Sequence, residues 1–154
     1  MSAEIQKTLE EKFPFLAGHI VVPRAGRIFV ECPEDQIRTV FDFVVKDLAY
    51  AALSAITGMD GGDHFAVVYH LNREGNGLLS LKVRLSKEKP SVHTVTDVFP
   101  GADVSERELI DLLGISVEGL ADGPRYPLPD NWPKNSYPLR KDWKQNKTEN
   151  SAAA

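Results

Sequence analysis

The chain has 154 residues, 42% hydrophobic and 26% charged, which is the size and composition of one ordinary soluble domain with a real core. Its net charge of −4 argues against a dedicated nucleic-acid binder, which needs clustered positive charge. A single cysteine, Cys32, excludes an internal disulfide; with only four scattered histidines it also argues against a self-contained zinc or iron–sulfur site. No apolar run reaches the ~18 residues of a membrane span, and Met1-Ser2-Ala3-Glu4 does not open a secretory signal, so the cytoplasm is the expected compartment.

Ser2 is placed to cap a first helix in which Ile5, Leu9 and Phe13 form one apolar stripe, ended by Pro14 and Gly18. Arg27 to Cys32 reads as a strand of β-branched and aromatic residues. Pro33 suits a first helical turn, and Ile37, Val40, Phe41, Val44 and Leu48 then recur at helical spacing, which predicts a helix over 33–49. The apolar run 51–57 is expected to be a strand, punctuated by Gly58, Gly61 and Gly62. The clearest alternation follows. Phe65, Val67, Tyr69 and Leu71 share one strand face, Leu79, Leu81, Val83 and Leu85 share the next, and a Gly/Asn-rich turn over 72–77 makes them a hairpin with Lys82 and Arg84 on the wet side. Residues 90–100 read as a connection. Ser105 with Glu108, or Asp103 with Glu106, offers a capping box for the next helix, which Gly114 closes.

From Ile115 to Trp143 there is no periodicity, and Pro124, Pro127, Pro129, Pro133 and Pro138 rule out helix and central strand. Irregular stretches beyond ~15 residues are uncommon inside a compact domain, so the segment is either disordered or bound. Its aromatics Tyr126, Trp132, Tyr137 and Trp143 favour bound. Both tryptophans could fold back as a satellite cluster, but aromatic and arginine residues dominate binding hot spots, and partner contact is the favoured reading. The arm is therefore expected to lie along a partner and to be mobile in the free chain.

Glu106, Arg107, Glu108 and Asp111 form a compact charged cluster in which Arg107 and Asp111 stand four apart, a spacing that pairs on one helix face. A catalytic carboxylate pair would need a pocket and opposed environments, and no nucleophile or phosphate cradle accompanies these residues. A docking device is the better reading. His19, His64, His70 and His93 lack metal-ligand spacing, and Gly58 to Asp63 lacks the Lys-Ser/Thr of a phosphate loop, so a turn is expected there. Cys32 reads as a small buried apolar group.

Taken in order, Phe65-Ala66-Val67-Val68-Tyr69-His70-Leu71, Leu81-Lys82-Val83-Arg84, Val95-Thr96-Asp97-Val98-Phe99-Pro100-Gly101-Ala102, Glu106-Arg107-Glu108, Asp111-Leu112-Leu113-Gly114-Ile115, Leu128-Pro129-Asp130-Asn131-Trp132 and Pro138-Leu139-Arg140-Lys141-Asp142-Trp143 resemble the 30-kilodalton subunit family of respiratory complex I, the NADH-quinone oxidoreductase. The family includes the related subunits of membrane-bound energy-converting nickel–iron hydrogenases and formate hydrogenlyases. The resemblance runs from about Leu53 to Trp143. It implies an accessory subunit without a cofactor, peripheral on the inner face of the cell membrane and attached to it through partners only. Those partners would be a large catalytic subunit, hydrogenase-like or quinone-binding, and an iron–sulfur subunit, which would carry the iron–sulfur clusters and, in the hydrogenase branch, nickel–iron. Val104 and Ser105 stand where the family usually has tryptophan, and Gly119 to Arg125 replaces the complex I pattern Gly-His-Pro-Asp-Leu-Arg-Arg. That drift leans towards the hydrogenase branch.

The expected fold is α+β: a small mixed or antiparallel sheet with helices packed on one face over residues 1–114, a proline-rich arm over 115–143 docking on a partner subunit, and a frayed tail over 144–154. The expected interface residues are Glu106, Arg107, Glu108, Asp111, Tyr126, Trp132, Pro138, Leu139, Arg140 and Trp143, with no catalytic, cofactor or metal ligands. Two other classes compete: a small enzyme using the Glu106, Glu108 and Asp111 carboxylates, and a stand-alone binding module using the mildly basic, aromatic arm.

Overall fold

A computed structural model of the chain describes residues 2–75 and 77–145. Helix α1 (Ser2–Lys12) buries Ile5 and Leu9, and a 3-10 turn at Pro14–Leu16 follows it. Ser2 lies inside this helix, and its hydroxyl accepts the Gly26 N–H at 3.1 Å rather than capping. Strands β1 (Ile20–Arg24) and β2 (Arg27–Cys32) then form a hairpin. Next come helix α2 (Ile37–Lys46) and strands β3 (Ala52–Asp60), β4 (His64–Arg73) and β5 (Gly77–Ser86). A second, parallel pair, β6 (Ser91–His93) and β7 (Ser116–Glu118), flanks helix α3 (Ala102–Glu108) and the wider π-helical turn Leu109–Leu113 that continues it.

The main sheet has the order β1-β2-β5-β4-β3; β2 and β5 run parallel and every other pair is antiparallel. Alternation decides its inner face. Phe65, Val67, Tyr69 and Leu71 of β4 stand beside Leu85, Val83, Leu81 and Leu79 of β5, all buried. Against them pack Ile5 and Leu9 of α1, Val40, Phe41 and Val44 of α2, and Leu109 and Leu113 of the π-helical turn. Helices thus cover one face of a mixed sheet, which is an α+β fold.

Several expectations change. Residues 33–36 form a turn, Gln36 N–H to Pro33 C=O at 3.1 Å, so α2 starts at Ile37; it stops at Lys46, ahead of Ala49 at φ +57°. Strand β3 does not stop at Gly58 but runs through it to Asp60. That glycine marks a close approach: a Cβ there would sit 2.5 Å from Leu109 Cδ2 and 2.6 Å from Leu113 Cδ1. The bend of Gly61 to Asp63 takes the turn, with Gly62 at φ +100°. The short strands β6 and β7 appear where a connection and an aperiodic arm were expected, and Ile115 is fully buried beyond Gly114. Gly114 does adopt the left-handed closing conformation, φ +69°. The tail expected to fray lies outside the described residues from position 146 on.

Candidate docking site

Helix α3 starts at Ala102 after Gly101, with no side-chain cap, so neither capping box forms. Glu106 is turned inward instead. It is 1% exposed, and its carboxylate accepts the Thr94 hydroxyl at 2.6 Å and the Val95 N–H at 2.7 Å, tying α3 to the segment after β6. Burial pushes this carboxyl above its usual range, partly offset by those two hydrogen bonds. Glu106 is therefore a structural anchor rather than a docking residue.

Arg107 does not pair with Asp111. It reaches back one turn to Asp103, Nε to Oδ2 at 3.0 Å and Nη2 to Oδ1 at 2.8 Å, and its Nη2 also donates to Ala121 C=O at 2.9 Å. The wide turn that follows α3 carries Asp111 towards the arm. There its two oxygens accept Arg125 Nε at 2.7 Å and the Leu128 N–H at 3.0 Å, while Arg125 Nη1 donates to Trp132 C=O at 3.0 Å. The cluster does dock something: the chain's own arm.

The arm continues along the same element. The Leu139 N–H donates to Leu112 C=O at 3.1 Å and Arg140 Nε to Leu113 C=O at 2.7 Å, satisfying carbonyls at the end of the π-helical turn. Arg140 stacks 4.3 Å from the Tyr137 ring and 5.0 Å from Phe65. Both Tyr137 and Arg140 lean over Gly114, where a Cβ would approach them to 2.6 Å. Trp132 and Trp143 stack at 6.2 Å and 22°, and both indoles donate to Ser136, one to its carbonyl at 2.8 Å and the other to its hydroxyl at 2.9 Å. Asp60 ends the series, accepting Lys141 N–H at 2.9 Å, Gly62 N–H at 2.8 Å and Lys87 Nζ at 2.8 Å. Burial alone would raise its carboxyl, but these three donors hold it well below the usual range. In the structure the arm thus packs on its own body, where a segment lying along a partner was expected.

What this docking leaves outward is a separate set. Glu108 forms no ion pair among the described residues, Pro138 is half-buried, and Tyr126 and Leu139 remain 44% and 55% exposed, with Val104 at 48% and Ile110 at 37% on the helix. Sequence reasoning missed Asp60, Arg125, Ser136 and Gly58. Only Gly58 carried a signal, a glycine inside an otherwise apolar strand pattern.

Among the described residues no three His, Cys, Asp or Glu side chains converge as a metal site, and no helix is long and apolar enough to cross a membrane. His70 bridges Thr57 and Ser80 at 3.1 and 3.0 Å, and His64 meets Asp63 at 2.6 Å. Cys32 is buried, and burial, with Asp35 nearby, pushes its thiol up to about 12, which disfavours the nucleophilic thiolate.

Comparison with known proteins fits this architecture. Residues 30–149 match the family described as respiratory-chain NADH dehydrogenase, 30 Kd subunit. An NADH-quinone oxidoreductase subunit of Roseiflexus castenholzii is 37% identical over 123 residues, covering 76% of this chain and 70% of that protein. Formate hydrogenlyase subunit 5 of Escherichia coli is 39% identical over 107 residues, 64% of this chain and 19% of that protein. The chain likewise spans only 18% and 41% of the length of two further relatives. A subunit of the membrane-bound sulfane sulfur reductase, an archaeal respiratory membrane complex, superposes with a TM-score of 0.78 at 27% identity over 93% of this chain and 85% of its own. With the family match running from β2 through the arm, the chain belongs to the 30-kilodalton subunit family of respiratory-chain NADH dehydrogenase.

Proposed function

We propose that the chain is a non-catalytic subunit of a membrane-bound energy-converting oxidoreductase, whose helix α3 and arm together form the surface that seats the neighbouring catalytic subunit. The observation that carries this reading is the fate of the charged cluster. Glu106 holds Thr94 and Val95, Asp111 holds Arg125 and Leu128, and Arg107 holds Asp103 and Ala121, so three of its four charges are spent on shape. Carboxylates saturated by such donors make poor acid–base catalysts. The same domain recurs in relatives named for quinone reduction, hydrogen release from formate and sulfur reduction. A part shared by complexes with such different acceptors supports framing rather than acceptor chemistry.

In this reading iron–sulfur clusters, and nickel–iron in the hydrogenase branch, reside in partner subunits, and the complex holds this chain on the inner face of the membrane. The finer lean is to the hydrogenase branch, supported by Gly119 to Arg125, which departs from the complex I pattern. Purifying the complex from native membranes through a tag on this chain tests both levels. Co-purified iron–sulfur proteins, with nickel and hydrogen evolution, are expected. NADH-quinone activity without nickel would move the chain to the complex I branch, and purification without any redox subunit would overturn the proposal.

A further inference from the structure

The sheet has a second face, turned away from the helices, that the α3 and arm surface does not use. Its charges are one-sided. Register places Arg24, Arg27, Lys82 and Arg84 on it against a single carboxylate, Glu31, in a chain whose net charge is −4. Glu31 is shared by Lys82 at 3.1 Å and Arg84 at 2.8 Å, while Arg24 and Arg27 form no ion pair among the described residues. The same face exposes Val21 (58%) on β1, Phe29 (45%) on β2 and Met59 (42%) on β3. Five strands about 4.8 Å apart and about eight residues long give a face of roughly 600 Å², close to the ~800 Å² that each partner buries in a standard interface.

We infer that this open sheet face is a second docking surface, and that its occupant is an amphipathic helix of a neighbouring subunit with carboxylates beside an apolar stripe. The inference rests on the reading of the chain as a subunit. Charge selects the occupant: a surplus of three cations, with two arginine forks unengaged, matches carboxylates presented at fixed spacing. Shape separates a protein from a bilayer. Phe29 and Met59 are about half exposed and stand apart, on β2 and β3 either side of the β5–β4 pair, rather than gathered into the one continuous apolar face by which membrane-surface elements enter the acyl boundary. A helix laid across the strands reaches both. The chain would then bridge two neighbours, one on α3 and the arm and one on the sheet.

The test uses the assembled complex, purified through a tag on this chain, with a photo-crosslinking phenylalanine analogue replacing Phe29 or Met59, and Phe15 as a control off this face. Both face positions are expected to crosslink to one acidic segment of another subunit. Arg24→Glu with Arg27→Glu should cut that yield about tenfold while the complex still co-purifies, since both side chains are solvent-facing and the arm contacts are untouched. Melting of the double variant at the parent temperature keeps a folding defect apart from lost contact. Crosslinks to lipid, nucleic acid, a second copy of this chain or a segment without carboxylates would overturn the inference, as would no crosslink at all or an unchanged yield in the double variant. A chain that co-purifies with no other subunit sinks the subunit reading as well; one that co-purifies without these crosslinks sinks only this one.

Discussion

Up to Ile115 the chain is held by apolar burial, with Leu9, Val40, Phe65, Tyr69, Leu81 and Ile115 each at 2% exposure or less; beyond Ile115 no described residue is buried. The arm is held instead by directional polar contacts: Arg107 to Ala121, Asp111 to Arg125 and Leu128, Arg140 to Leu113, and Asp60 to Lys141. The two kinds of attachment respond differently to disturbance. Burial is cooperative and is lost only by unfolding, whereas single hydrogen bonds contribute about 0.5–1.5 kcal/mol each and exchange readily for equivalent ones. An arm attached in this way has a defined resting place and can still trade it for a partner.

The sharpest way to break the comparison is to cut the body. Leu81→Ala, at a fully buried position in the centre of the sheet, should cost about 2–5 kcal/mol and lower the melting temperature of the whole chain. Glu106→Ala comes next. It strips the Val95 N–H of its buried acceptor and should cost about 1–3 kcal/mol by denaturant unfolding. Glu106→Gln should fall within about 0.5 kcal/mol of the parent, because its amide still accepts from Val95 and can donate to Thr94 in place of a carboxylate that burial disfavours. A Gln variant as damaging as Ala would mean that the charge itself anchors the helix.

The next perturbation concerns the arm alone. Arg125→Ala should leave the midpoint of sheet unfolding within about 1 kcal/mol of the parent, since the loss falls on an exposed segment. It should speed hydrogen exchange at Leu128 while Tyr69 stays protected. A uniform loss of protection would mean that body and arm unfold as one unit. The smallest effect is expected from acid. The folded-state value of the Asp60 carboxyl is depressed, so its contribution is present at neutral pH and is lost as pH falls below the ordinary value of about 3.9. Tryptophan fluorescence from the Trp132–Trp143 stack should report loosening of the arm there, and Asp60→Asn should weaken that acid step. An identical acid profile in the variant would remove Asp60 as the latch.

Legibility in the sequence divides along the same line. The β4–β5 hairpin could be read because Phe65, Val67, Tyr69 and Leu71, then Leu79, Leu81, Val83 and Leu85, are apolar at every second position on either side of a Gly/Asn-rich stretch, and α2 because its apolar spacing is helical. Strand β1 escaped because Pro23 interrupts its apolar run, and β6 and β7 because three residues carry no period. In the cluster, the four-residue rule found the right spacing for Arg107 but the wrong direction, Asp103 instead of Asp111. The true partner of Asp111 lies fourteen residues on, beyond any local rule. Glu106 looked like a surface charge because nothing local announces that the segment after β6 offers it an N–H and a hydroxyl.

The parallel contact between β2 and β5 has a consequence in time. Arg27 must find Leu78 and Cys32 must find Val83, pairings that span some fifty residues, so the β1–β2 hairpin has no further strand to pair with until the β3–β4–β5 meander exists. Closing so long a loop before any reward is the slow kind of step, and the edge of β2 stays unpaired meanwhile. During synthesis that edge waits until Ser86 has left the ribosome, and α3 and the arm emerge only afterwards. The docking elements therefore meet a sheet that is already complete, and a truncation before β5 should leave a sticky, aggregation-prone hairpin rather than a smaller working domain.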